Sequence, residues 1–424
     1  IRQEHEDLQV QIADLKDILA RRERILEIIE TEITQIKQAH ATPRRTEIEP
    51  AEGEFDAIDL IANEKAVILL TEQGYIKRMP LDTFEAQSRA TRGKSGTRMK
   101  EDDVVDHFLT CCDHDSVLFF SDRGVVYSLK AYQIPVGSRT SRGVPIVQML
   151  PIPKEERITS IVPVSEFSSD EYLVMLTKGG YIKKTELAAF TNIRANGLIA
   201  ISLEEGDQLR WVRRARVEDS IIIGSRFGMA IHFRTSHEQL RPLGRATRGV
   251  KAMKLKEGDE LIGMDIIPSA VLAASHMEEA DPTEAEVEVE ETEIVELETE
   301  ENGEIANAGE GPWVLIVTMA GYGKRVPVSQ FKLYNRATKG KIATKFKQNR
   351  KFKDKLAALM VVHEGDELML ITTRGIIIRQ STDAIPRQSR SATGVRVQRL
   401  DEDDAIAAVA LVPSDVSDDE AATY

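Results

Sequence analysis

Six pairs of short apolar segments, each joined by a tight turn that contains glycine, recur along the 424 residues of this chain. Examples are VILLTEQGYIKRM from Val67 and VLIVTMAGYGKRV from Val314. Runs of this length that are bounded by turn residues predict β-hairpins, because glycine adopts the positive φ that a tight hairpin turn needs. The turn glycines of the six pairs are Gly74, Gly124, Gly180, Gly228, Gly321 and Gly375.

The spacing of these turns indicates a repeated architecture. Neighbouring turn glycines are 48 to 56 residues apart, except for one interval of 93 residues. A basic loop ending in a second glycine follows each turn glycine by 17 to 21 residues, and an acidic turn and a further apolar strand come next. A period near 50 residues without helical periodicity is typical of propeller blades and excludes helical solenoids. The sequence therefore predicts a mainly β fold with six propeller-like blades.

Residues 1–40 have a different pattern, which predicts one long N-terminal α-helix. Apolar residues alternate at intervals of four and three from Leu8 to Ile36, with Arg22 as the one interruption, as in a coiled-coil seam. The predicted organisation is a coiled-coil helix at 1–40, a linker at 41–56, blades one to four at 57–276, an acidic insertion at 277–311, blades five and six at 312–413, and an acidic tail at 414–424.

The net charge of −14 would argue against a nucleic-acid partner if it were evenly distributed. However, residues 277–310 contain 15 Asp and Glu and no Lys or Arg, and residues 401–424 contain 8 and none. The blades are therefore net basic, and their attachments are acidic. The charge density of the insertion predicts a disordered segment that competes with polyanions for the basic loops.

Other chemistry is sparse. The adjacent Cys111 and Cys112 predict buried free thiols and argue against a disulfide framework or a cysteine metal site. The eight histidines lack metal-ligand spacing, and no pairing of a nucleophile with a base stands out. No stretch approaches the roughly 20 apolar residues that a membrane span requires. We therefore expect a soluble, cytoplasmic chain without a membrane partner or a metal site.

The basic loops contain the candidate binding residues. Glycine allows a tight turn that brings peptide N–H groups close to a phosphate, and Arg and Lys neutralise its charge. In any single loop, glycine and arginine are explained more simply as residues of a solvated turn. All six loops, however, carry almost only positive charge, which favours a role in binding a polyanion. They also lack aromatic side chains for base stacking, which favours duplex over single-stranded DNA. The candidates are Arg89, Arg92, Lys94, Arg139, Arg142, Arg194, Arg245, Arg248, Lys251, Arg336, Lys339, Lys341, Arg390 and Arg396.

Several segments have a distinctive amino-acid sequence. They are FEAQSRATRGKSGTRMKEDD from Phe84, YSLKAYQIP from Tyr127, PIVQMLPIPKEERITSIVPV from Pro145, GYGKR from Gly321 and RATKGK from Arg336. They closely resemble the C-terminal region of the A subunit of bacterial DNA gyrase, over about residues 1–415 and all six blades. The resemblance implies a six-bladed β-pinwheel that bends duplex DNA around a basic rim and so directs ATP-dependent negative supercoiling. Residues 1–39 would then be the end of the coiled-coil arm of the cleavage domain.

The family's heptapeptide, Gln-Arg-Arg-Gly-Gly-Lys-Gly, corresponds here to residues 87–93. Four positions match or are conservative, and the resemblance adds Gln87, Gly93 and Arg98 to the candidate DNA-binding residues. Ser88 replaces an arginine and Ala90-Thr91 replace two glycines, so this loop has one cation fewer and is stiffer.

The resemblance also implies partners and cofactors for a larger enzyme. The partners are duplex DNA, the gyrase B subunit, and a second A subunit in an A2B2 heterotetramer. Mg²⁺ and ATP would be required by the whole enzyme, with no cofactor in this chain. The cleavage tyrosine of the family lies in the preceding domain, so this chain alone is expected to be inactive. Two alternatives are the A subunit of topoisomerase IV, which decatenates without wrapping, and a propeller-type protein scaffold with no nucleic-acid role.

Overall fold

The computed structural model describes residues 1–42, 57–80, 105–138, 141–274, 311–346, 354–374, 376–401 and 404–412. The chain divides into two compact units, Ile1–Leu60 and Ile61–Tyr424. The predicted linker at 41–56 and the acidic insertion at 277–311 lie almost entirely outside the described residues, and the acidic tail at 414–424 lies wholly outside them.

The first unit contains two α-helices where the sequence predicted one. Helix α1 (Arg2–Ala20) and helix α2 (Arg22–His40) are separated by Arg21, whose backbone is extended, with φ −125° and ψ 114°. The break therefore falls one residue before the interruption of the apolar pattern. The apolar residues of the predicted seam are exposed within this chain, as Leu8, Leu15 and Ile33 illustrate.

The second unit consists mainly of short antiparallel strands. The six hairpins are β1 (Lys65–Thr71) with β2 (Tyr75–Pro80), β4 (Ser116–Ser121) with β5 (Val125–Lys130), β8 (Tyr172–Thr177) with β9 (Tyr181–Glu186), β12 (Ser220–Ser225) with β13 (Met229–Arg234), β16 (Trp313–Thr318) with β17 (Tyr322–Pro327), and β20 (Glu367–Thr372) with β21 (Ile377–Ser381). The third strand of each blade is β3 (Val105–Cys112), β7 (Ile158–Val164), β11 (Leu209–Ala215), β15 (Leu261–Ile267), β19 (Leu356–Val362) or β23 (Ile406–Val412). The six hairpins and the mainly β, six-bladed prediction are confirmed.

Five two-residue strands, which the sequence did not predict, link successive blades. They are β6 (Val144–Pro145), β10 (Leu198–Ile199), β14 (Val250–Lys251), β18 (Lys341–Ile342) and β22 (Val395–Arg396). Each comes directly after the loop glycine of one blade and pairs with the hairpin of the preceding blade. The sheet orders are β3-β1-β2-β6, β10-β5-β4-β7, β11-β8-β9-β14, β15-β12-β13-β18, β19-β16-β17-β22 and, among the described strands, β21-β20-β23. A short helix, α3 (Ser269–Ala274), follows β15.

The apolar core lies between neighbouring blades. The first hairpin strands β8, β12 and β16 are buried at every residue, because a blade has a neighbour on each face. Between blades two and three, for example, the rings of Phe120 and Phe190 meet edge to face at 6.4 Å. Met369 of blade six packs against Val67 and Leu69 of blade one. Similar apolar clusters lie between all successive blades, including between the last blade and the first.

The two cysteines are both free thiols, as the sequence predicted. Cys111 is buried at the end of β3, and burial raises the pKa of its thiol to about 12. Cys112 is only half-buried. A thiol that is protonated at neutral pH is a poor nucleophile, so Cys111 is a packing residue.

A buried histidine connects blades four and five. His232 in β13 is 1% exposed, and its Nδ1 lies 2.6 Å from the carbonyl oxygen of Phe331. Because a carbonyl can only accept, Nδ1 carries the proton and Nε2 accepts from the Ser220 hydroxyl, at 2.7 Å. Burial lowers the pKa of His232 to about 4.

This histidine is expected to make the fold less stable in acid. Between pH 4 and the ordinary pKa of 6.5 the unfolded chain binds more protons, so the contribution of His232 is present above pH 6.5 and is lost as the pH falls towards 4. The expected loss is about 3 kcal/mol. Urea unfolding across this range should show a weaker pH dependence for His232→Gln than for the exposed control His40→Gln. Equal pH dependence in the two variants would contradict this assignment.

Candidate nucleic-acid interface

In blades three to six, hydrogen bonds link the basic loop of one blade to the residues that follow the short strand of the blade before it. The Ser202 hydroxyl, beyond the loop of blade three, donates to the carbonyl of Ala246 in the loop of blade four at 3.1 Å. The Ala337 N–H in the loop of blade five donates to the carbonyl of Ala252 at 2.7 Å. The Thr344 hydroxyl donates to the carbonyl of Ala392 in the loop of blade six at 3.2 Å. We call the described loops that end at Gly143, Gly197, Gly249, Gly340 and Gly394, together with the short strand after each, the basic rim.

Ten of the predicted DNA-binding residues lie on the basic rim: Arg142, Arg194, Arg245, Arg248, Lys251, Arg336, Lys339, Lys341, Arg390 and Arg396. The other seven, Gln87, Arg89, Arg92, Gly93, Lys94, Arg98 and Arg139, lie outside the described residues. Five of the ten have exposed side chains, namely Arg194, Arg248, Lys251, Lys339 and Arg396. The exposed cations are thus spread over blades three to six rather than gathered in one pocket.

Two of the seven arginines among these ten residues also have a structural role that the sequence did not predict. The Arg245 guanidinium donates to the carbonyl of Ala189 in blade three at 2.7 Å. Arg336 Nε donates to the carbonyl of Gln239 in blade four, also at 2.7 Å. These side chains therefore tie their loop to the preceding blade. Arg390 is half-buried, and burial lowers its pKa.

Three other rim arginines stack on tyrosines of the preceding blade. The guanidinium carbon of Arg142 lies 3.7 Å from the centre of the Tyr75 ring, and that of Arg248 lies 4.6 Å from Tyr181. Arg396 lies 5.7 Å from the Tyr322 ring and donates to its hydroxyl at 3.2 Å. Cation–π contacts of this kind hold a guanidinium group in place without neutralising its charge. These tyrosines belong to the hairpin of the preceding blade and not to the loops. The sequence of the loops alone therefore gave no sign of the stacking.

The loop glycines serve packing. Gly249 has φ +98°, and a Cβ added there would lie 2.4 Å from the carbonyl oxygen of Ile182 in the preceding hairpin. Gly143 has φ +86° and the same 2.4 Å approach to the carbonyl of Ile76. From the sequence, access to a phosphate was the expected reason for these glycines. The structure gives a different reason, because the positive φ and the close backbone approach both require glycine.

Replacing Gly249 by Ala is therefore expected to destabilise the blade by about 2 kcal/mol or more, since both strain and a steric clash result. Gly258→Ala is the matched control, because Gly258 also has positive φ, at +75°, but has no atom within 4 Å of an added Cβ. Urea unfolding of both variants measures the difference. Equal losses would show that backbone conformation alone demands glycine at position 249.

A cleft lies on the basic rim where residues of blades three and four meet. The cleft has a volume of about 390 Å³ and is lined by Thr191, Arg194 and Arg245, and the positive charge of the two arginines suits an anion. Across the described ranges, no three His, Cys, Asp or Glu side chains lie close enough to hold a metal ion. None of the described helices is sufficiently long and apolar to cross a membrane.

Comparisons with known proteins agree with this architecture. The sequence matches the family model described as DNA gyrase C-terminal domain, beta-propeller, at residues 65–112, 115–165, 171–216, 219–268, 312–363 and 366–413. It is 64% identical to the DNA gyrase A subunit of Synechocystis sp. over 410 residues, which are 97% of this chain and 46% of that protein. It is 41% identical to the chloroplastic/mitochondrial DNA gyrase A subunit of Nicotiana benthamiana, over 99% of this chain and 43% of that protein. The chain thus spans less than half the length of these relatives.

Two solved structures have a similar fold. The C-terminal domain of DNA topoisomerase IV matches with a TM-score of 0.61 at 22% identity, over 83% of this chain and 94% of that one. The DNA gyrase A C-terminal domain matches with a TM-score of 0.58 at 24% identity, over 82% and 99%.

The fold and the basic rim define a six-bladed β-propeller in which loops from one blade complete the sheet of the blade before it. The chain belongs to the family of DNA gyrase C-terminal domains, beta-propeller, as the six matched segments establish. The resemblance found in the sequence is thereby confirmed.

Proposed function

We propose that this chain binds duplex DNA along the basic rim and wraps it, as the C-terminal part of a gyrase A subunit. The main support is the continuity of the rim over blades three to six, because each loop there is hydrogen-bonded to the segment that follows the preceding loop, and these blades present exposed cations in succession. Arginine and lysine that contact phosphates give affinity without base specificity. A path of this kind favours a long polyanion over a small ligand.

A surface spread over several blades suits the energetics of bending. Duplex DNA has a persistence length of about 150 base pairs, so bending a few tens of base pairs costs several kcal/mol. Each phosphate contact offsets only part of this cost. Several loops must therefore act together, and one blade would not hold DNA in a bent path.

The whole protein is proposed to be a type II, ATP-hydrolysing DNA topoisomerase. In that assembly, two A subunits would combine with two gyrase B subunits in an A2B2 heterotetramer, and Mg²⁺ and ATP would be bound outside this chain. We propose that the cleavage tyrosine also lies outside this chain, which would then be inactive alone. We propose a cytoplasmic location; cell fractionation would test it, since plant relatives are named chloroplastic/mitochondrial.

The proposed function is tested by titrating the chain against linear duplexes of several sequences at increasing salt. Engagement of six or more phosphates should give a slope of log K against log salt steeper than about −5. Affinity should hardly depend on sequence. A slope near zero would exclude wrapping and favour the protein-scaffold alternative.

Wrapping itself requires a topological test. Relaxed plasmid bound by the chain and then religated should carry a shift in linking number if DNA is wrapped. Strong binding with no shift would favour the topoisomerase IV alternative, in which DNA is bound without being wrapped.

A carboxylate beside the basic rim gives a further prediction. Glu204 forms an ion pair with Arg248, and DNA must compete with this carboxylate for the guanidinium. Glu204→Gln is expected to tighten binding several-fold at low salt, with the gain declining as salt screens the charge. Glu166→Gln, an exposed carboxylate outside the rim, serves as the control. Equal effects of the two variants would point to net charge alone.

A further inference from the structure

Three lysines lie buried directly beneath loops of the basic rim. They are Lys77 in β2, Lys183 in β9 and Lys324 in β17, and their side chains are almost completely removed from solvent. Each stands three residues after the turn glycine of blade one, three or five, within GYIK, GYIK or GYGK. The same position in blades two, four and six holds Tyr127, Ile231 and Ile378.

Each ammonium group donates to backbone carbonyls in the loop of the following blade. Lys324 Nζ contacts the carbonyls of Ser389 at 3.0 Å, Arg390 at 2.6 Å and Ala392 at 2.7 Å. Lys183 Nζ contacts those of Gly244 at 3.1 Å, Arg245, Thr247 at 3.3 Å, and also Ala200 at 2.6 Å. Lys77 Nζ contacts those of Ser138 at 3.2 Å and Ser141 at 2.9 Å.

The acceptors occupy equivalent loop positions. The last six residues of each loop, counted so that the loop glycine is position 6, can be compared directly. Lys183 and Lys324 both contact the carbonyls of positions 1, 2 and 4, and Lys77 contacts those of positions 1 and 4. Carbonyls directed at one buried cation point the negative ends of their peptide dipoles into the blade. The outer side of the loop is therefore left electropositive, which favours an anion there.

The same hairpins also orient the loop arginines. The tyrosine two residues before each lysine, at Tyr75, Tyr181 and Tyr322, stacks on Arg142, Arg248 and Arg396 respectively. One hairpin thus positions both the backbone and a guanidinium group of the next loop. This combination recurs in three separate pairs of blades: one with two, three with four, and five with six.

The loops of blades three and five are built differently. The hairpins before them place Tyr127 and Ile231 where the buried lysines stand in the other hairpins. In the loop of blade five, Ala337 has a φ of +62°, and Arg336 is bonded to the preceding blade. Two kinds of rim loop therefore alternate along blades two to six, whose loops the structure describes.

We propose that Lys77, Lys183 and Lys324 are positioning residues that hold the loops of blades two, four and six in a phosphate-binding conformation, so that DNA is gripped at every second blade. The inference rests on the proposed function.

The protonation of these lysines is coupled to the site. Burial lowers the pKa of Lys183 and of Lys324 to about 7, and the facing guanidinium groups of Arg245 and Arg390 lower it as well. A bound phosphate has the opposite charge and raises these pKa values again. DNA binding should therefore take up protons, and by linkage it should strengthen as the pH falls from about 9 to about 6.

The test compares Lys183→Met/Lys324→Met with Lys184→Met in the full chain. Lys184 is the matched control, because it is equally buried but donates to the Thr235 carbonyl, outside the rim loop. Urea unfolding first establishes that each variant is folded. Binding to a linear duplex of about 150 base pairs is then measured at constant ionic strength from pH 6 to pH 9.

The double variant should bind roughly tenfold more weakly at pH 6 and should lose most of the pH dependence. Lys184→Met should keep the affinity and pH profile of the unmodified chain. A folded double variant with unchanged affinity and pH profile would overturn the inference while leaving the proposed function intact. If the unmodified chain binds no DNA, both are overturned.

If the double variant does not fold, NMR titration of the lysine side chains in the unmodified chain decides the question. The pKa values of Lys183 and Lys324 should rise on adding DNA, whereas that of Lys184 should not. Unchanged values for all three would overturn the inference.

Discussion

Replacing Arg142, Arg248 and Arg396 together by Gln is expected to weaken duplex DNA binding about 100-fold at low salt and to reduce the slope of log K against log salt by 2 to 3. These three arginines share one environment, since each stacks on the tyrosine of the preceding hairpin. Glutamine keeps much of the side-chain length and hydrogen-bonding capacity but removes the charge, so the change in slope counts the cationic phosphate contacts that are lost. A titration of the isolated chain at several salt concentrations measures both quantities.

A charge-matched control separates contact from net charge. Lys154, Arg216 and Arg379 are exposed and lie outside the basic rim, so replacing these three by Gln changes the total charge by the same amount. That variant should keep the original salt slope, because net charge acts mainly on long-range attraction and less on direct phosphate contacts. Equal slopes for the two triple variants would show that the stacked arginines do not contact DNA.

Replacing Trp313 by Ala is expected to lower the free energy of unfolding by about 3–5 kcal/mol, the largest stability loss that we expect from a single substitution here. Trp313 is completely buried at the start of β16, between blades five and six, where it packs with Leu368 and Ile385. The guanidinium carbons of Arg325 and Arg387 lie 4.9 and 4.5 Å from its ring, so both packing and cation–π contacts would be lost.

The other tryptophan provides the control. Trp211 in β11 is only partly buried against its core, so Trp211→Ala should cost less. Urea unfolding measures both losses, and hydrogen exchange should locate the Trp313→Ala effect in blades five and six, because a blade contacts only its neighbours. Equal losses, or a uniform rise in exchange across all blades, would contradict this picture.

The blade array was predictable because its signals are local. An apolar run, a turn glycine and a second run lie within about a dozen residues, as in Leu173 to Thr185, and they specify a hairpin whatever its surroundings. The repeat of that unit six times then requires stacked blades, since one blade cannot bury its own faces. Continuous rather than alternating apolar character in β8 and β12 likewise reflects burial on both faces.

The helix break and the role of the rim arginines were less predictable. The apolar pattern is interrupted at Arg22, but an interruption does not specify extended backbone at Arg21. Arg245 and Arg248 belong to one loop and have the same chemistry, yet one donates to the carbonyl of Ala189 and the other stacks on Tyr181. Composition cannot separate these two roles, because each depends on which group of the preceding blade lies within reach.

The sequence by itself thus determined the hairpins, the number of blades and the positive charge of the loops, because these follow from local backbone preference, apolar periodicity and residue charge. Only the tertiary structure decided that a two-residue strand of one blade pairs with the hairpin of the preceding blade. It also decided the packing role of Gly249 and the burial of Lys183 and Lys324 under loops more than 60 residues away in sequence. The physical reason is that these features arise where one blade meets the next. A strand of two residues has no periodicity to detect, and a lysine among apolar residues is buried only when another segment supplies carbonyls to accept its hydrogen bonds.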